Sequence, residues 1–543
     1  MNTINHSSFL EEKKKWNILL VIFLIIGIAI RLYHYLYNRS LWMDEVYLSS
    51  SFLRMDGLEI LTKPLYYQQK APIGFLLFVK YTVQLFGNKE MALRLIPLIS
   101  GISSLFLFIP VANYFLRKPA AVLAIGILCL SPALVYHSVE IKQYSTELLA
   151  TLCSFYLYIK YRSSNQFKDL LFWGLSGALI LWFSYSAIFI LGGIAISLSS
   201  SYLLTKKWDR FAWSILPFGL WLISFLANYF LFTHKHAESE WIALWFRSYG
   251  NFMPFPPKSL SDLQWFAVNL YRMMDYPLGL LWNFNQIENS GALSILVKLP
   301  FIPLFLLIYG SYAFFKERTG LAWILFSPIL LTLLASGLEL YPLTERFWVF
   351  ISPIFILLIA KGFECGSSRI KSKKLRLLFL LLVIMPALVQ SAIFLWKPDQ
   401  FYVHKKSEQR EALQFLDLHY KKGDAVYVYW NNLPGYRAYK TMYPLKYEAI
   451  EGTNQRKYAK NYRDYEQLLK ADFSKFTGKK RVWLVFNTQF LTDIGDGIDE
   501  PTWYYKDPIK PMDHLLSQFN KLGKPIAQYV TKDVSVYLFE LPD

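Results

Sequence analysis

Ionisable side chains lie where apolar stretches of this 543-residue chain end. Asp44 and Glu45 follow the first apolar stretch, and Glu140 follows the third. Adjacent carboxylates beside an apolar helix end are costly unless they are paired or used. A carboxylate held in such a place could act as a general base on an acceptor hydroxyl. The alternative is an interfacial acidic pair that caps the helix that follows.

A second polar cluster surrounds Glu140. At helical spacing His137, Glu140 and Tyr144 fall on one face, at i, i+3 and i+7, and Lys142 points elsewhere, where a lipid phosphate could bind. The alternative is a Glu–Lys surface pair beside a tyrosine of the interfacial belt.

Cations form the third group of candidate site residues. Glu345 and Arg346 open the tenth apolar stretch, and the planar guanidinium is well suited to bind phosphate. Simple snorkelling of a terminal arginine is the alternative. Lys70 is a further cation expected on the same side. Together these groups fit a site for an anionic, lipid-tethered substrate.

The composition indicates that lipid is much of the solvent. The chain is 54% hydrophobic and 18% charged, whereas soluble proteins have about 25% charged residues. About 20 apolar residues span a bilayer, which predicts a polytopic α-helical membrane protein with about eleven spans. The predicted spans are 16–37, 91–116, 119–136, 143–161, 169–184, 187–205, 211–233, 293–315, 320–338, 346–362 and 375–396.

The positive charge predicts orientation. The net charge of +18 comes largely from basic clusters that alternate between spans, which puts the N-terminus in the cytoplasm and the C-terminus outside. These charges lie between the apolar segments and do not cluster on a soluble domain. Membrane lipid is therefore an expected partner and nucleic acid is not. The hairpin of two spans at 169–205 is the weakest part of the span prediction, because its turn carries no charge. Losing one span there would invert the predicted orientation of everything after it.

Two outer segments are too long to be mere connectors. The loop 38–90 contains a short apolar stretch, 71–86, interpreted as a juxtamembrane helix, with an ordinary span as the alternative. The loop 234–290 is rich in aromatic residues that suit the headgroup region. Residues 1–396 are therefore expected to be the catalytic membrane module.

The tail, residues 397–543, is expected to be a small extracytoplasmic α/β domain. The pattern predicts helices at Ser407–Tyr420 and Met512–Leu522 and strands at Ala425–Trp430, Arg481–Phe486 and Val534–Leu541. It contains no cysteine and no glycine-rich phosphate loop. The three cysteines of the chain lie in or beside predicted spans and have no metal-binding spacing.

In this order the clusters resemble the GT-C class of membrane glycosyltransferases. More narrowly, they resemble the bacterial branch related to protein O-mannosyltransferases and the lipid A aminoarabinose transferase, glycosyltransferase families 39 and 83. The matching pieces are Trp42-x-Asp44-Glu45, Lys70-Ala71-Pro72-Ile73, Leu85-Phe86-Gly87-x-x-Glu90-x-Ala92-x-Arg94, Ser131-Pro132-x(3)-Tyr136-x(3)-Glu140-x-Lys142-x-Tyr144 and Glu345-Arg346-Phe347-x(5)-Pro353. The resemblance covers roughly residues 15–396.

The resemblance implies transfer of a hexose or pentose from a polyprenyl-phosphate carrier to an envelope acceptor, which would be a protein, lipid or glycan. The reaction would occur on the outer face of the inner, cytoplasmic membrane by inverting displacement. The implied catalytic residues are Asp44, Glu45 and Glu140, and the implied substrate-binding residues are Lys70, His137, Lys142, Tyr144, Glu345 and Arg346.

Two departures from the family pattern bear on these roles. Some relatives carry arginine at Lys142, and others place an aspartate where this chain has Glu147.

No cofactor is demanded, although a divalent metal is compatible with the class. The rival functions are a transporter or flippase for a polyprenyl-linked glycan and a non-catalytic membrane binding subunit. The chain lacks the repeated halves typical of transporters.

Overall fold

The computed structural model describes residues 2–234, 240–282, 300–496, 498 and 501–542. The regular secondary structure of these residues before residue 397 consists of helices. The helices are α1 (Asn2–Tyr37), α2 (Met43–Arg54), α3 (Gly57–Thr62), α4 (Ile73–Phe86), α5 (Glu90–Phe115), α6 (Lys118–Leu130), α7 (Pro132–His137), α8 (Tyr144–Tyr161), α9 (Phe167–Phe183), α10 (Ala187–Leu204), α11 (Trp208–Asn228), α12 (Glu240–Ser248), α13 (Leu260–Asp275), α14 (Phe301–Glu317), α15 (Thr319–Gly337), α16 (Ser352–Ser368) and α17 (Lys373–Trp396).

Six helices in the described part of the chain are long and apolar enough to cross a membrane. They are Lys14–Tyr37 within α1, α5, α10, Trp208–Thr233, α15 and α17. Helices α8, α9, α14 and α16 and the pair α6–α7 lie at the other predicted spans. The chain is therefore a polytopic helical membrane protein, and the count of eleven spans stays a prediction.

Parts of two predicted segments fall outside the described residues. These are the first seven residues of the eighth predicted span, 293–299, and parts of the outer loop, 235–239 and 283–290. The rest of that loop forms the two helices α12 and α13. The predicted juxtamembrane segment forms helix α4, which begins directly after Pro72 and ends directly before Gly87.

The third predicted span is broken near its outer end, and a buried arginine stabilises the break. Pro132 has no backbone N–H, so the carbonyl of Leu128 loses its helical partner. Arg31 of α1, fully buried, donates instead to the carbonyl oxygens of Leu128 at 3.1 Å and Cys129 at 3.0 Å. An intramembrane arginine would be costly without such acceptors. The break separates α6 from α7, whose last residue, His137, contacts Glu140.

The tenth predicted span begins later than expected. Residues Glu345–Trp348 form a short 3-10 helix, and α16 starts only at Ser352, one residue before Pro353. Proline favours the first turn of a helix, which explains the later start. Arg346 therefore lies in the 3-10 helix before the span and not in the first turn of the span itself.

The tail forms a mixed five-stranded sheet in the order β2-β1-β3-β5-β4. Strand β1 is parallel to β2 and β3, and β5 is antiparallel to β3 and β4. The strands are β1 (Ala425–Val428), β2 (Ile450–Glu451), β3 (Arg481–Asn487), β4 (Lys524–Val530) and β5 (Val534–Glu540). The helices are α18 (Gln409–His419), α19 (Leu433–Met442), α20 (Tyr462–Phe473), α21 (Thr502–Lys506) and α22 (Pro511–Leu522).

The three predicted strands and two predicted helices of the tail are present within a few residues of their expected ends. The sequence did not predict β2, β4, α19, α20 or α21. Strand β4 was missed because it is a largely exposed edge strand that contains Pro525. Strand β2 is only two residues long.

The tail shares a hydrophobic core with the first outer loop. Buried residues from Leu41 to Leu93 pack in one cluster with residues of the sheet and of α19. The backbone N–H of Leu41 donates to the Tyr439 hydroxyl at 2.7 Å. Arg410 pairs with the buried carboxylate of Glu90 at 3.0 Å. The tail therefore helps to position the loop that carries Asp44.

Candidate active site

Asp44 and Arg346 form an ion pair across 302 residues of sequence. Asp44 lies in the first turn of α2, and Nη1 of Arg346 is 2.5 Å from its Oδ2. Each side chain is 25% exposed, so the pair borders an open cleft. Burial opposes ionisation of Asp44, but the charges of Lys142 and Arg346 hold its pKa below the usual value of 3.8. The carboxylate is therefore ionised at neutral pH.

Glu140 is fully buried and accepts several hydrogen bonds. Nδ1 of His137 lies 2.7 Å from its Oε2, and the Tyr136 hydroxyl and Trp42 Nε1 donate to Oε1 at 3.2 and 3.3 Å. Burial opposes ionisation, but the bond to His137 and the charge of Lys405 hold the pKa of Glu140 well below its usual range. Its oxygens are occupied, so Glu140 orients its neighbours.

His137 connects Glu140 to the outer loop before residue 290. Because an ionised carboxylate only accepts, Nδ1–H of His137 donates to Glu140. The other ring nitrogen, Nε2, then accepts from the hydroxyl of Tyr276. The rings of His137 and Tyr144 are 4.9 Å apart between centroids.

The residues from His137 to Tyr144 meet for a different reason from the one the sequence suggested. They do not share a helix face, because α7 ends at His137 and α8 begins only at Tyr144. A turn over residues 138–143 folds Glu140 back onto His137. The expectation of a continuous helical face is wrong, although the side chains are adjacent.

Lys142 lies inside the cleft rather than facing away. Its side chain is buried, and Nζ donates to Oε1 of Gln69 at 2.7 Å. The sequence expectation that it points elsewhere is therefore wrong. Lys70, next to Gln69, is partly exposed and makes no hydrogen bond or ion pair with the chain from 2–234, 240–282 and 300–496. Arg346 covers the ring of Tyr144, with 5.9 Å from Cζ to the centroid.

Glu45 is a fully paired buried carboxylate. Arg94 of α5 donates to its two oxygens, with Nε to Oε1 at 3.1 Å and Nη2 to Oε2 at 2.9 Å. The backbone N–H of Ile141 also donates to Oε1 at 3.0 Å. Both ionic side chains are at most 1% exposed. This geometry leaves Glu45 no free oxygen for proton transfer and ties the first outer loop to the second.

Sequence reasoning missed Lys405 and Arg39. Lys405 follows the last span, and its Nζ lies 3.4 Å from Oε2 of Glu345 and 5.3 Å from the ring centroid of Tyr136. Arg39 covers the same ring at 4.2 Å. A signal was present for Lys405, because the predicted orientation places the residues after the last span outside, where a basic residue departs from the basic-inside pattern.

Within residues 2–234, 240–282, 300–496, 498 and 501–542, no group of three or more histidine, cysteine, aspartate or glutamate side chains is close enough to hold a metal ion. The two carboxylates of the cleft, Asp44 and Glu140, are each opposed by cationic or hydrogen-bonding protein groups. A metal in the cleft would have to displace those partners.

The fold is that of the GT-C class of membrane glycosyltransferases, which confirms the class that the sequence motifs suggested. The chain is similar to ArnT from Cupriavidus metallidurans in the apo state, with 12% identity, a TM-score of 0.53, and coverage of 97% of this chain and 98% of that one. ArnT from the same organism bound to undecaprenyl phosphate also matches, with 12% identity, a TM-score of 0.53, and coverage of 96% and 98%.

Further comparisons agree with that class. The oligosaccharyltransferase from Archaeoglobus fulgidus, tethered with an acceptor peptide, has 12% identity, a TM-score of 0.50, and coverage of 97% of this chain and 74% of that one. Residues 70–233 match the family model described as dolichyl-phosphate-mannose-protein mannosyltransferase. A comparison with curated protein sequences gives no match.

Proposed function

We propose that this protein is a glycosyltransferase that moves a sugar from a polyprenyl-phosphate carrier to an envelope acceptor. The reaction takes place on the outer face of the cytoplasmic membrane, with the N-terminus inside and the tail outside. The acceptor is a protein, a lipid or a glycan, and the sugar is a hexose or a pentose. The GT-C fold and the match to a lipid-phosphate-dependent mannosyltransferase family support this function.

The observation that carries the proposal is the ion pair between Asp44 and Arg346 at the edge of the cleft. An anionic base and a phosphate-binding cation are the two groups that this reaction needs, and here they touch. In this ion pair, each group masks the other. A donor phosphate would compete for the guanidinium, whose planar fork binds phosphate well.

The proposed step is a single displacement at the anomeric carbon. Donor phosphate binds Arg346 and Lys142, which releases the carboxylate of Asp44. Asp44 then takes the proton of the acceptor hydroxyl as its oxygen forms a bond to the sugar. The bond between the anomeric carbon and the phosphate oxygen breaks, and the electron pair leaves on polyprenyl phosphate, whose charge the fixed cations stabilise. The configuration at the anomeric carbon inverts.

The other site residues support this arrangement. Glu140 and His137 hold the outer loop through Tyr276, and Glu45 holds α2 through Arg94. We therefore propose Asp44 as the catalytic base and Glu45 and Glu140 as positioning residues. Lys70 is free to bind the carrier phosphate or its sugar.

The experiment uses purified full-length protein in lipid nanodiscs with labelled polyprenyl-phosphate sugars and an envelope extract. We expect acceptor-dependent loss of sugar from the donor with an equal amount of polyprenyl phosphate released. A donor that stays intact with every sugar and acceptor would contradict the proposal. Movement of the intact lipid-linked sugar across a liposome membrane would instead indicate a flippase.

A further inference from the structure

The first residues of the tail, directly after the last span, cross the cleft. We define them as the strap, residues 398–406. The ring of Phe401, 4% exposed, stacks on His34 with 3.9 Å between centroids. The next ring, Tyr402, lies 4.6 Å from Tyr136 and 5.7 Å from Tyr276. Aromatic packing thus fixes the strap against residues that surround Glu140.

The backbone of the strap is strained at one position. Tyr402 has φ of 49° and ψ of 55°, which is the left-handed region. A bulky non-glycine residue is uncommon there and costs free energy. The conformation starts the short helix Val403–Lys405, whose last residue enters the cleft. Such strain is often maintained at functional sites.

The ammonium group of Lys405 has no hydrogen-bond partner in the described chain, although Nζ is buried. Its nearby anion is Glu345, with 3.4 Å between Nζ and Oε2, and the Glu345 side chain is 55% exposed. The rings of Trp42, Tyr136 and Tyr276 surround Nζ at 5.8, 5.3 and 5.3 Å. The faces of these rings stabilise a cation but accept no strong hydrogen bond. Beyond its ion pair with Glu345, the ammonium therefore keeps N–H donors that are available to a ligand.

Lys405 is not needed to hold the strap in place. Lys406 pairs with Asp399 at 3.0 Å and with Glu408 at 2.9 Å. From the tail, Lys532 donates to the carbonyl oxygen of Val403 at 3.0 Å. These exposed contacts anchor the strap, so the buried charge of Lys405 calls for another explanation.

We propose that Lys405 binds an oxygen of the substrate phosphate beside Arg346, and that the strap is therefore part of the donor site. The inference rests on the proposed function and adds to it a cation that comes from the tail side of the last span. Glu345 connects the two cations, because it contacts Lys405 and precedes Arg346. A bound phosphate would take up the N–H donors of Lys405 and compensate its buried charge.

The test measures undecaprenyl phosphate binding to the full chain in nanodiscs. Replacing Lys405 by methionine removes the charge but keeps the length of the side chain. We expect Kd to rise about 10- to 100-fold, because a charge-assisted hydrogen bond is lost. The variants Lys405→Gln and Lys405→Arg should show a similar loss and a substantial rescue, respectively.

The matched control is Lys422→Met, which removes the same charge from an exposed lysine of the tail outside the strap. It should change Kd by no more than about twofold, since solvent and salt screen an exposed charge. Transfer assays add a second readout: Lys405→Met should raise KM for the donor and leave KM for the acceptor unchanged.

The outcomes separate the inference from the proposed function. If wild-type protein does not bind undecaprenyl phosphate, the proposed function fails. If it binds and both neutral Lys405 variants bind equally well, only the inference fails. A rise in acceptor KM alone would assign Lys405 to an anion of the acceptor and overturn its place in the donor site. Equal losses in Lys405→Met and Lys422→Met would show that Lys405 acts only through the overall positive charge, and would overturn its place in the donor site.

Discussion

The carboxylates of the candidate site differ in their burial and in the groups that pair with them. Asp44 meets one guanidinium at an accessible edge, whereas Glu140 and Glu45 are buried and accept hydrogen bonds from several groups. The sequence showed which carboxylates to consider, because they follow apolar stretches. It could not rank them, because their partners Arg94, Arg346 and Trp42 are fixed by tertiary contacts. Among Asp44, Glu45 and Glu140, burial and pairing favour Asp44 as the available base.

The pH dependence of transfer should follow the ionisation of Asp44. Its pKa is held below 3.8 by Lys142 and Arg346 against the effect of burial. The base is therefore competent at neutral pH, and kcat/KM should fall only as the pH drops through that lowered pKa. Removing the Lys142 charge with Lys142→Met should raise the pKa and move this acid limb to higher pH.

The measurement is a pH–rate profile of kcat/KM, in which the position of the limb is compared rather than its height. Lys142→Arg keeps the charge and serves as the control, so its limb should remain with the wild type. A limb that stays in place in Lys142→Met would show that Asp44 is not the titrating base.

Glu45 should matter for stability rather than for proton transfer. Glu45→Gln leaves Arg94 buried without its counter-charge, and breaking such a pair costs about 3–5 kcal/mol. We expect a lower melting temperature for Glu45→Gln and for Arg94→Met, measured by thermal unfolding in detergent. The double variant should recover part of the loss, because Arg94 no longer leaves a buried charge without its partner. Lost transfer with unchanged stability would return Glu45 to the catalytic group.

At the scale of elements, helix breaks and turns bring the site together. The positions of apolar helices could be predicted from the sequence, since length and composition set them. The turn over residues 138–143 and the 3-10 helix Glu345–Trp348 could not, because a hydrophobic run does not show where helix geometry stops. Pro132 was the local signal for the break between α6 and α7, and Pro353 was the signal for the later start of α16. Proline indicates a boundary, but tertiary contacts decide the direction of the chain after it.

Arg31 should control the geometry of the break between α6 and α7 from within the membrane. Arg31→Met removes donors from the carbonyl oxygens of Leu128 and Cys129. Each buried acceptor left without a partner costs about 1–3 kcal/mol, so we expect a loss of about 3 kcal/mol in stability. Transfer should also decline, because α7 carries Tyr136 and His137.

The measurement is thermal unfolding together with single-turnover transfer. Arg31→Lys can reach one carbonyl and should retain an intermediate stability. Wild-type stability in Arg31→Met would contradict the role of Arg31 in stabilising the break.

On the scale of the whole molecule, the tail is integrated with the membrane module. Its sheet shares a hydrophobic core with residues from Leu41 to Leu93, and the strap reaches Glu345 through Lys405. Strands β1, β3 and β5 and helices α18 and α22 of the tail were predictable from the sequence, whereas its other elements were not. Its docking was not, because contacts such as Arg410 with Glu90 join residues 320 positions apart. No periodicity encodes such a contact.

The side of the membrane that the tail occupies is testable by cysteine labelling. The loop before α17 and the strap lie at opposite ends of a 24-residue helix, about 36 Å apart. In a background without the three native cysteines, Lys421→Cys in the tail should react with an impermeant maleimide in intact cells. Lys371→Cys, before α17, should react only after permeabilisation. The reverse pattern would invert the proposed orientation.

The most direct measurement compares Asp44→Asn with wild type in single-turnover sugar transfer from a polyprenyl-phosphate donor, with undecaprenyl phosphate affinity determined in the same preparation. Asparagine keeps the shape of the side chain and removes the base. We expect the transfer rate to fall about 10²- to 10⁴-fold, while carrier affinity is retained because Arg346 remains. Transfer at the wild-type rate by a folded Asp44→Asn protein would contradict the central role of this carboxylate.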